Sequence, residues 1–140
     1  MVTRTLALAA LSTLALSASA SAVESGSYSG VSVNKEIYVY GDIEPRTDKG
    51  KASFKVKANA VTKFKLKGQQ IMCGTSPFEV PVAIPKVTLN SAGKGTGTYT
   101  DQNLGAFKVK ITVKHNGKAS GTITPTGLCR GKVTFSAKRN

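Results

Sequence analysis

The stretch Phe107-Lys108-Val109-Lys110-Ile111-Thr112-Val113-Lys114 alternates apolar and polar residues with a period of two. That period puts Phe107, Val109, Ile111 and Val113 on one side and Lys108, Lys110, Thr112 and Lys114 on the other. It is the pattern of an antiparallel strand with one buried and one wet face. The opening phrase returns as Phe54-Lys55-Val56-Lys57 and as Phe64-Lys65-Leu66-Lys67. Three such segments predict a sheet protein with an apolar interior and a lysine-bearing exterior. If their strands lie side by side, Lys55, Lys57, Lys65, Lys67, Lys108 and Lys110 form one continuous anion-binding face. The plain reading of the same residues is a solvated coat that guards exposed strands from edge-to-edge aggregation.

The first residues do not follow this pattern. Arg4 precedes an apolar run from Leu6 to Leu16, and small residues follow through Ala20-Ser21-Ala22. A charged start, a short hydrophobic middle and an A-x-A site describe a secretory signal peptide over residues 1–22. The run is too short to span a bilayer, which takes about 20 apolar residues. The mature chain, residues 23–140, is therefore expected to be exported, with no integral membrane segment. It suits a single domain.

With Arg4 gone, 19 of the 20 Lys and Arg remain against all 7 Asp and Glu, a formal charge of +12. Such an excess favours anionic surfaces. Outside a cell these are acidic envelope polymers and polysaccharides, phospholipid head groups or released nucleic acid, while intracellular nucleic acid is excluded by compartment. The chain has no Trp, which argues against a carbohydrate platform of stacked indoles.

Cys73 and Cys129 are the two cysteines of a chain bound for an oxidising compartment, and a disulfide is their natural reading. In the loop-entropy account, closing a loop of this length stabilises a fold by about 4 kcal/mol. Two thiols and the single His115 make a poor metal site, so neither metal nor cofactor is expected.

Residues 26–33 and 36–40 favour strand, because Tyr, Val and Ile suit a pleated, half-buried surface. Residues 41–50 show no apolar period and gather Asp42, Glu44 and Asp48 around Pro45, which predicts a solvated acidic loop. The carboxylates lack the ligand spacing of a calcium loop. Asn59 marks a short turn between the first two Phe-Lys strands, since Asn tolerates positive φ. Pro77, Pro81 and Pro85 keep residues 78–85 out of a central strand and place them on an edge or across the surface. Gly93, Gly95 and Gly97 predict a close backbone approach, a bulge or a corner. Asn116-Gly117 predicts a type I′ hairpin turn with positive φ at both central residues. The last strand puts Cys129, Gly131, Val133, Phe135 and Ala137 on one parity, and the disulfide would tie it to the middle of the sheet.

No helical period persists after residue 22. The expected fold is all-β, a sandwich or small barrel of roughly eight to ten short antiparallel strands, and the choice between sandwich and barrel stays open. The ordered motifs Gly26-Ser-Tyr-Ser-Gly30, Ala52-Ser-Phe-Lys-Val56, Val61-Thr-Lys-Phe64, Lys118-Ala-Ser-Gly-Thr-Ile123 and Cys129-Arg-Gly-Lys-Val-Thr-Phe135-Ser-Ala-Lys-Arg139 resemble a diffuse set of small secreted bacterial β proteins. These are seen often in actinobacteria, generally have no assigned function, and often carry Trp where this chain has Phe135. The resemblance implies the fold and contributes no catalytic residue.

No catalytic set is legible. His115 sits in a hairpin turn, and Glu79 and Asp101 have no recognisable acid-base partner. The expected function is a non-enzymatic, secreted or envelope-associated protein that recognises an anionic polymer or polysaccharide. The alternative is a secreted antagonist of another protein, acting through an exposed loop such as residues 74–85.

Overall fold

The structure, a computed structural model, describes residues 23–80, 84 and 86–140. The expected leader at residues 1–22 lies outside them, as do Pro81, Val82, Ala83 and Pro85 of the proline-spaced segment. The regular elements are all strands: β1 (Gly26–Ile37), β2 (Arg46–Lys57), β3 (Ala60–Lys67), β4 (Gln70–Cys73), β5 (Ser76–Glu79), β6 (Val87–Thr88), β7 (Lys94–Asp101), β8 (Gly105–Val113), β9 (Lys118–Pro125), β10 (Cys129–Arg130) and β11 (Val133–Arg139). Eight form one antiparallel sheet in the order β6-β3-β2-β1-β11-β9-β8-β7, and β10-β4-β5 form a second, small sheet.

The large sheet nearly closes on itself, because its edge strands β6 and β7 pack together. At Gly95 a Cβ would lie 2.5 Å from the Thr88 carbonyl oxygen and 2.8 Å from Val87 Cγ1. The glycine-rich strand is thus a close backbone approach, one of the three readings its composition left open, and it is where the barrel meets itself. Barrel, not sandwich, describes the large sheet.

The period of two in β8 is obeyed. Phe107, Val109, Ile111 and Val113 are buried, while Lys108, Lys110 and Lys114 are exposed. Inside, Tyr28, Phe54 and Phe64 stack in sequence, with centroids 5.1 and 5.6 Å apart, and Phe135 meets both phenylalanines edge-on. Tyr99 stacks on Phe107 at 5.1 Å. Aromatic pairs in such geometries add about 0.5–1.5 kcal/mol each beyond their buried area.

Four local expectations change. In β3 the alternation breaks at Lys63, whose φ is +51°, and the register with β2 shifts between Ser53 and Lys55. This bulge supplies one extra residue, so Val61 and Phe64 both face inward despite opposite parity. The Asn59 turn has the positive φ expected of it, and the type I′ geometry expected at Asn116-Gly117 is found there instead. Ala58 and Asn59 have φ of 50° and 57° between the paired Lys57 and Ala60, the type I′ signature. At Asn116-Gly117 only Gly117 has positive φ, and Lys114 N–H donates to Lys118 O at 2.8 Å across a three-residue loop. That loop asks left-handed geometry of Gly alone, and Asn116 Oδ1 is left to accept the Lys118 N–H at 3.1 Å.

The predicted last strand is two, because Gly131, at φ +104°, turns the chain from β10 in the small sheet into β11 in the barrel. The disulfide is formed: Cys73 and Cys129 are register partners across β4 and β10. It therefore closes the small sheet and does not reach into the barrel wall.

The acidic loop is half strand, since Arg46 to Gly50 pair with β1. Its missing apolar period has a structural cause. Gly50 leaves room for Gln69, and a Cβ there would lie 2.8 Å from both Gln69 Cβ and Ser32 Oγ. Gln69 is fully buried. Its amide oxygen accepts the Ser32 hydroxyl at 2.7 Å, and its Nε2 donates to Asp48 Oδ2 at 3.0 Å. Asp48 Oδ2 also accepts the Gln70 N–H at 2.7 Å. These bonds satisfy the buried polar groups where the small sheet meets the barrel end.

Candidate functional site

All six lysines singled out by the repeated Phe-Lys phrase are exposed, and they fall into two groups. Lys55, Lys57, Lys65 and Lys67 stand on the neighbouring strands β2 and β3, where Lys51 is directly opposite Lys67. Lys108 and Lys110 stand on β8. Strands β1, β11 and β9 separate β8 from β2 one way round, and β7, β6 and β3 separate them the other way. The condition that the three strands lie side by side is not met, because closing the sheet turns β2 and β8 to opposite sides. There are two lysine walls, not one face. On β8 each lysine has threonines on both sides, Thr98 and Thr124 beside Lys108, Thr96 and Thr122 beside Lys110.

The strands between the walls carry a feature that parity alone could not locate. A single row crosses the sheet in register: Lys65 opposite Ser53, Ser53 opposite Ser29, Ser29 opposite Lys138, and Lys138 opposite Lys118. Lys114 joins its end through the backbone bond to Lys118. Lys118-Ala119-Ser120 meets Ser136-Ala137-Lys138 antiparallel, so Lys faces Lys, Ala faces Ala and Ser faces Ser. Like charges directly opposite on neighbouring strands are destabilising. Lys118 and Lys138 are exposed beside the buried Ala119 and Ala137. Their apposition was not legible in the sequence, because it depends on the pairing of β9 with β11.

Over this crossing lies a shallow groove of about 420 Å³, with Lys114, Lys118 and Lys138 at its rim. Gly30 contributes to its lining, and a Cβ there would collide with the Ser136 carbonyl oxygen. A side chain on Gly30 would force β1 and β11 apart.

The carboxylates lie elsewhere. Of the 7 acidic residues, Glu36, Asp42, Glu44, Asp48, Glu79 and Asp101 all sit on strand ends and loops at the disulfide end of the barrel. Asp42 accepts the Val39 N–H at 3.0 Å and pairs with Arg46 at 2.8 Å, and these contacts hold its carboxyl below the usual range. Only Glu24 lies at the other end, 3.6 Å from Arg139. The row from Lys65 to Lys114 contains no carboxylate.

The disulfide end has its own opening, about 660 Å³, lined by Cys73, Phe78, Glu79, Asp101, Leu104 and Leu128 among others. Phe78 is 46% exposed and Leu128 76%. Residues 74–79 of the loop proposed for an antagonist thus bring an apolar side chain to the surface beside the disulfide.

Among the described residues no three His, Cys, Asp or Glu side chains gather as a metal site, and no helix is long and apolar enough to cross a membrane. His115 is exposed at its hairpin tip. No protein-family model matches this chain, and neither curated proteins nor solved structures give a significant match. Fold and surface together define a small, basic β-barrel with a disulfide-closed second sheet at one end.

Proposed function

We propose that this protein is a non-enzymatic binding protein of the extracellular space or cell envelope that holds an anionic polymer, such as an acidic envelope polysaccharide, against the outside of its barrel. The observation that carries this reading is the carboxylate-free row from Lys65 to Lys114, with the walls of β2–β3 and β8 at its two sides. The disulfide and the leader-like residues 1–22 support the oxidising, exported setting. A polyanion laid over such a surface releases counterions, so its affinity falls with salt in proportion to the number of lysines engaged.

The test is retention on anionic wall polymer and on heparin-like polysaccharide at several salt concentrations. The triple variant Lys55→Gln, Lys65→Gln, Lys108→Gln should bind more weakly and with a shallower salt slope while remaining folded. Equal binding by variant and wild type would reduce the lysines to a solvated coat.

A second reading, the antagonist, is favoured by the exposed Phe78 and Leu128 at the disulfide end. Capture of one stoichiometric protein partner, lost in Phe78→Ser and insensitive to salt, would put that reading first.

A further inference from the structure

We infer that the groove over Gly30 is a discrete subsite for one tetrahedral oxyanion, a phosphate or sulfate ester group of the polymer, seated between Lys118 and Lys138 with Lys114 beside them. The inference rests on the polymer-binding reading and adds a place and a chemical class to it.

Register brings the charges together. Residues directly opposite on antiparallel strands have Cβ atoms about 4.5–5.5 Å apart, and Lys118 and Lys138 are such a pair. No carboxylate lines this groove; the nearest, Glu24, borders the adjoining hollow with Lys118 and Lys138 and is paired with Arg139 at 3.6 Å. An anion between them converts a repulsive pair into two attractions, which gives the site its affinity without any movement of the backbone.

Shape and hydroxyls select the anion. Ala119 and Ala137 turn inward and are buried, and Gly30 has no side chain, so the groove floor is backbone and small atoms, while the exposed Val31 opposite Ser136 forms an apolar edge. Ser120 and Ser136 face each other on the same outward side. Ser29, the third serine, already donates to Asn140 Oδ1 at 2.5 Å. Three ammoniums on one side and two hydroxyls on the other approach a ligand from several directions. Each ammonium carries three donors and each hydroxyl one. A planar carboxylate offers two oxygens in one plane, whereas a phosphate or sulfate ester offers three arranged around an axis. The donor set fits the tetrahedral group better.

The experiment is an amide-resolved NMR titration of the purified protein with inorganic phosphate, inorganic sulfate and acetate at constant ionic strength. Saturable shifts at Lys118, Ser120, Ser136 and Lys138 are expected with phosphate or sulfate, and weaker, non-saturating ones with acetate. Tighter binding of phosphate, strengthening as pH rises and the ion becomes doubly charged, assigns the group to a phosphorylated polymer. Tighter, pH-independent binding of sulfate assigns it to a sulfated one.

The double variant Lys118→Gln, Lys138→Gln should weaken the shifts at least tenfold, and Lys35→Gln, Lys86→Gln, at exposed lysines outside the groove, the row and both walls, should leave them within twofold. Acetate binding as well as the other two, shifts spread evenly over all lysines, or a Lys118/Lys138 variant that binds like wild type would each overturn the subsite. The wild-type titration decides the matter even if a variant fails to fold. Polymer retention separates the two proposals. Retention that survives Lys118→Gln, Lys138→Gln while no anion localises to the groove removes the subsite alone. A groove that binds phosphate in a protein retained by no polymer removes the polymer reading alone.

Discussion

Tyr99 packs its ring on Phe107 and is 8% exposed, and its hydroxyl finds no hydrogen-bond partner among the described residues. A buried polar group left unpaired costs about 1–3 kcal/mol. Tyr99→Phe keeps the stacked ring and removes that cost, so it is expected to leave stability unchanged or raise it by about 1 kcal/mol in denaturant titration. Burial, with Asp101 close by, also pushes the Tyr99 phenol above the usual tyrosine range. The folded state then keeps its proton where the unfolded chain loses it. Stability is complete below about pH 10, the unfolded value, and falls as pH rises beyond it. Tyr99→Phe should flatten that alkaline limb, and an unchanged limb would place its origin in other groups. Asp48 presents the opposite case. Asp48→Ala strands the Gln70 N–H and leaves Gln69 Nε2 with the Gln70 carbonyl as its one acceptor, and a loss of about 1–3 kcal/mol is expected.

At the scale of elements, the disulfide does its work in strands too short to persist alone. β10 has two residues and β4 four. The bond joins them directly across the pair and spans a sequence separation of 56. In the chain-entropy account a loop of that length contributes about 4 kcal/mol. Reduction should add two hydrogens to the intact mass and lower the melting temperature, and Cys73→Ala should lower it by a similar amount. The damage should be local first, since the barrel pairs through β1, β2, β9 and β11 without the small sheet. Amide exchange is thus expected to speed up in β4, β5 and β10 before β8. Free thiols in freshly prepared protein would contradict the pairing.

For the whole molecule, closing the sheet decides what the charge can do. From Lys65 on β3 to Lys114 beside β8, the row crosses five inter-strand steps, an arc of about 24 Å at roughly 4.8 Å per step. An anionic oligomer shorter than this engages the β2–β3 wall or the β8 wall, while a longer one reaches both. Affinity should therefore rise with chain length until the contour passes about 24 Å and then level off, a gain of effective concentration without new kinds of contact. A size-fractionated oligosaccharide series measured at fixed salt checks it. A strictly linear dependence on length with no plateau would mean that the polymer runs past the barrel and does not wrap it.

The period of two in residues 107–114 determined that strand, its buried face and the outwardness of Lys108, Lys110 and Lys114, and the repeated phrase at Phe54 and Phe64 did the same for Lys55, Lys57, Lys65 and Lys67, because side-chain direction in a strand is a local property of the backbone. The cysteine pair was legible for a similar reason, since in a chain with two cysteines each thiol has only the other as a disulfide partner. What the sequence left open depends on which strands become neighbours. Lys108 does not join Lys55 because β1, β11 and β9 lie between their strands, and Lys118 meets Lys138 only through the β9–β11 register. Asp48 reads as a solvated acid until Gln69 is brought against it from β4's end of the chain. Even Asn116-Gly117 took a different turn, because a three-residue loop asks the left-handed conformation of Gly117 alone. Strand pairing is set by packing the common core of Tyr28, Phe54, Phe64, Phe107 and Phe135, a non-local sum that no single segment carries. Local pattern therefore determined the strands and their faces, and only the closed sheet decided which charges stand together.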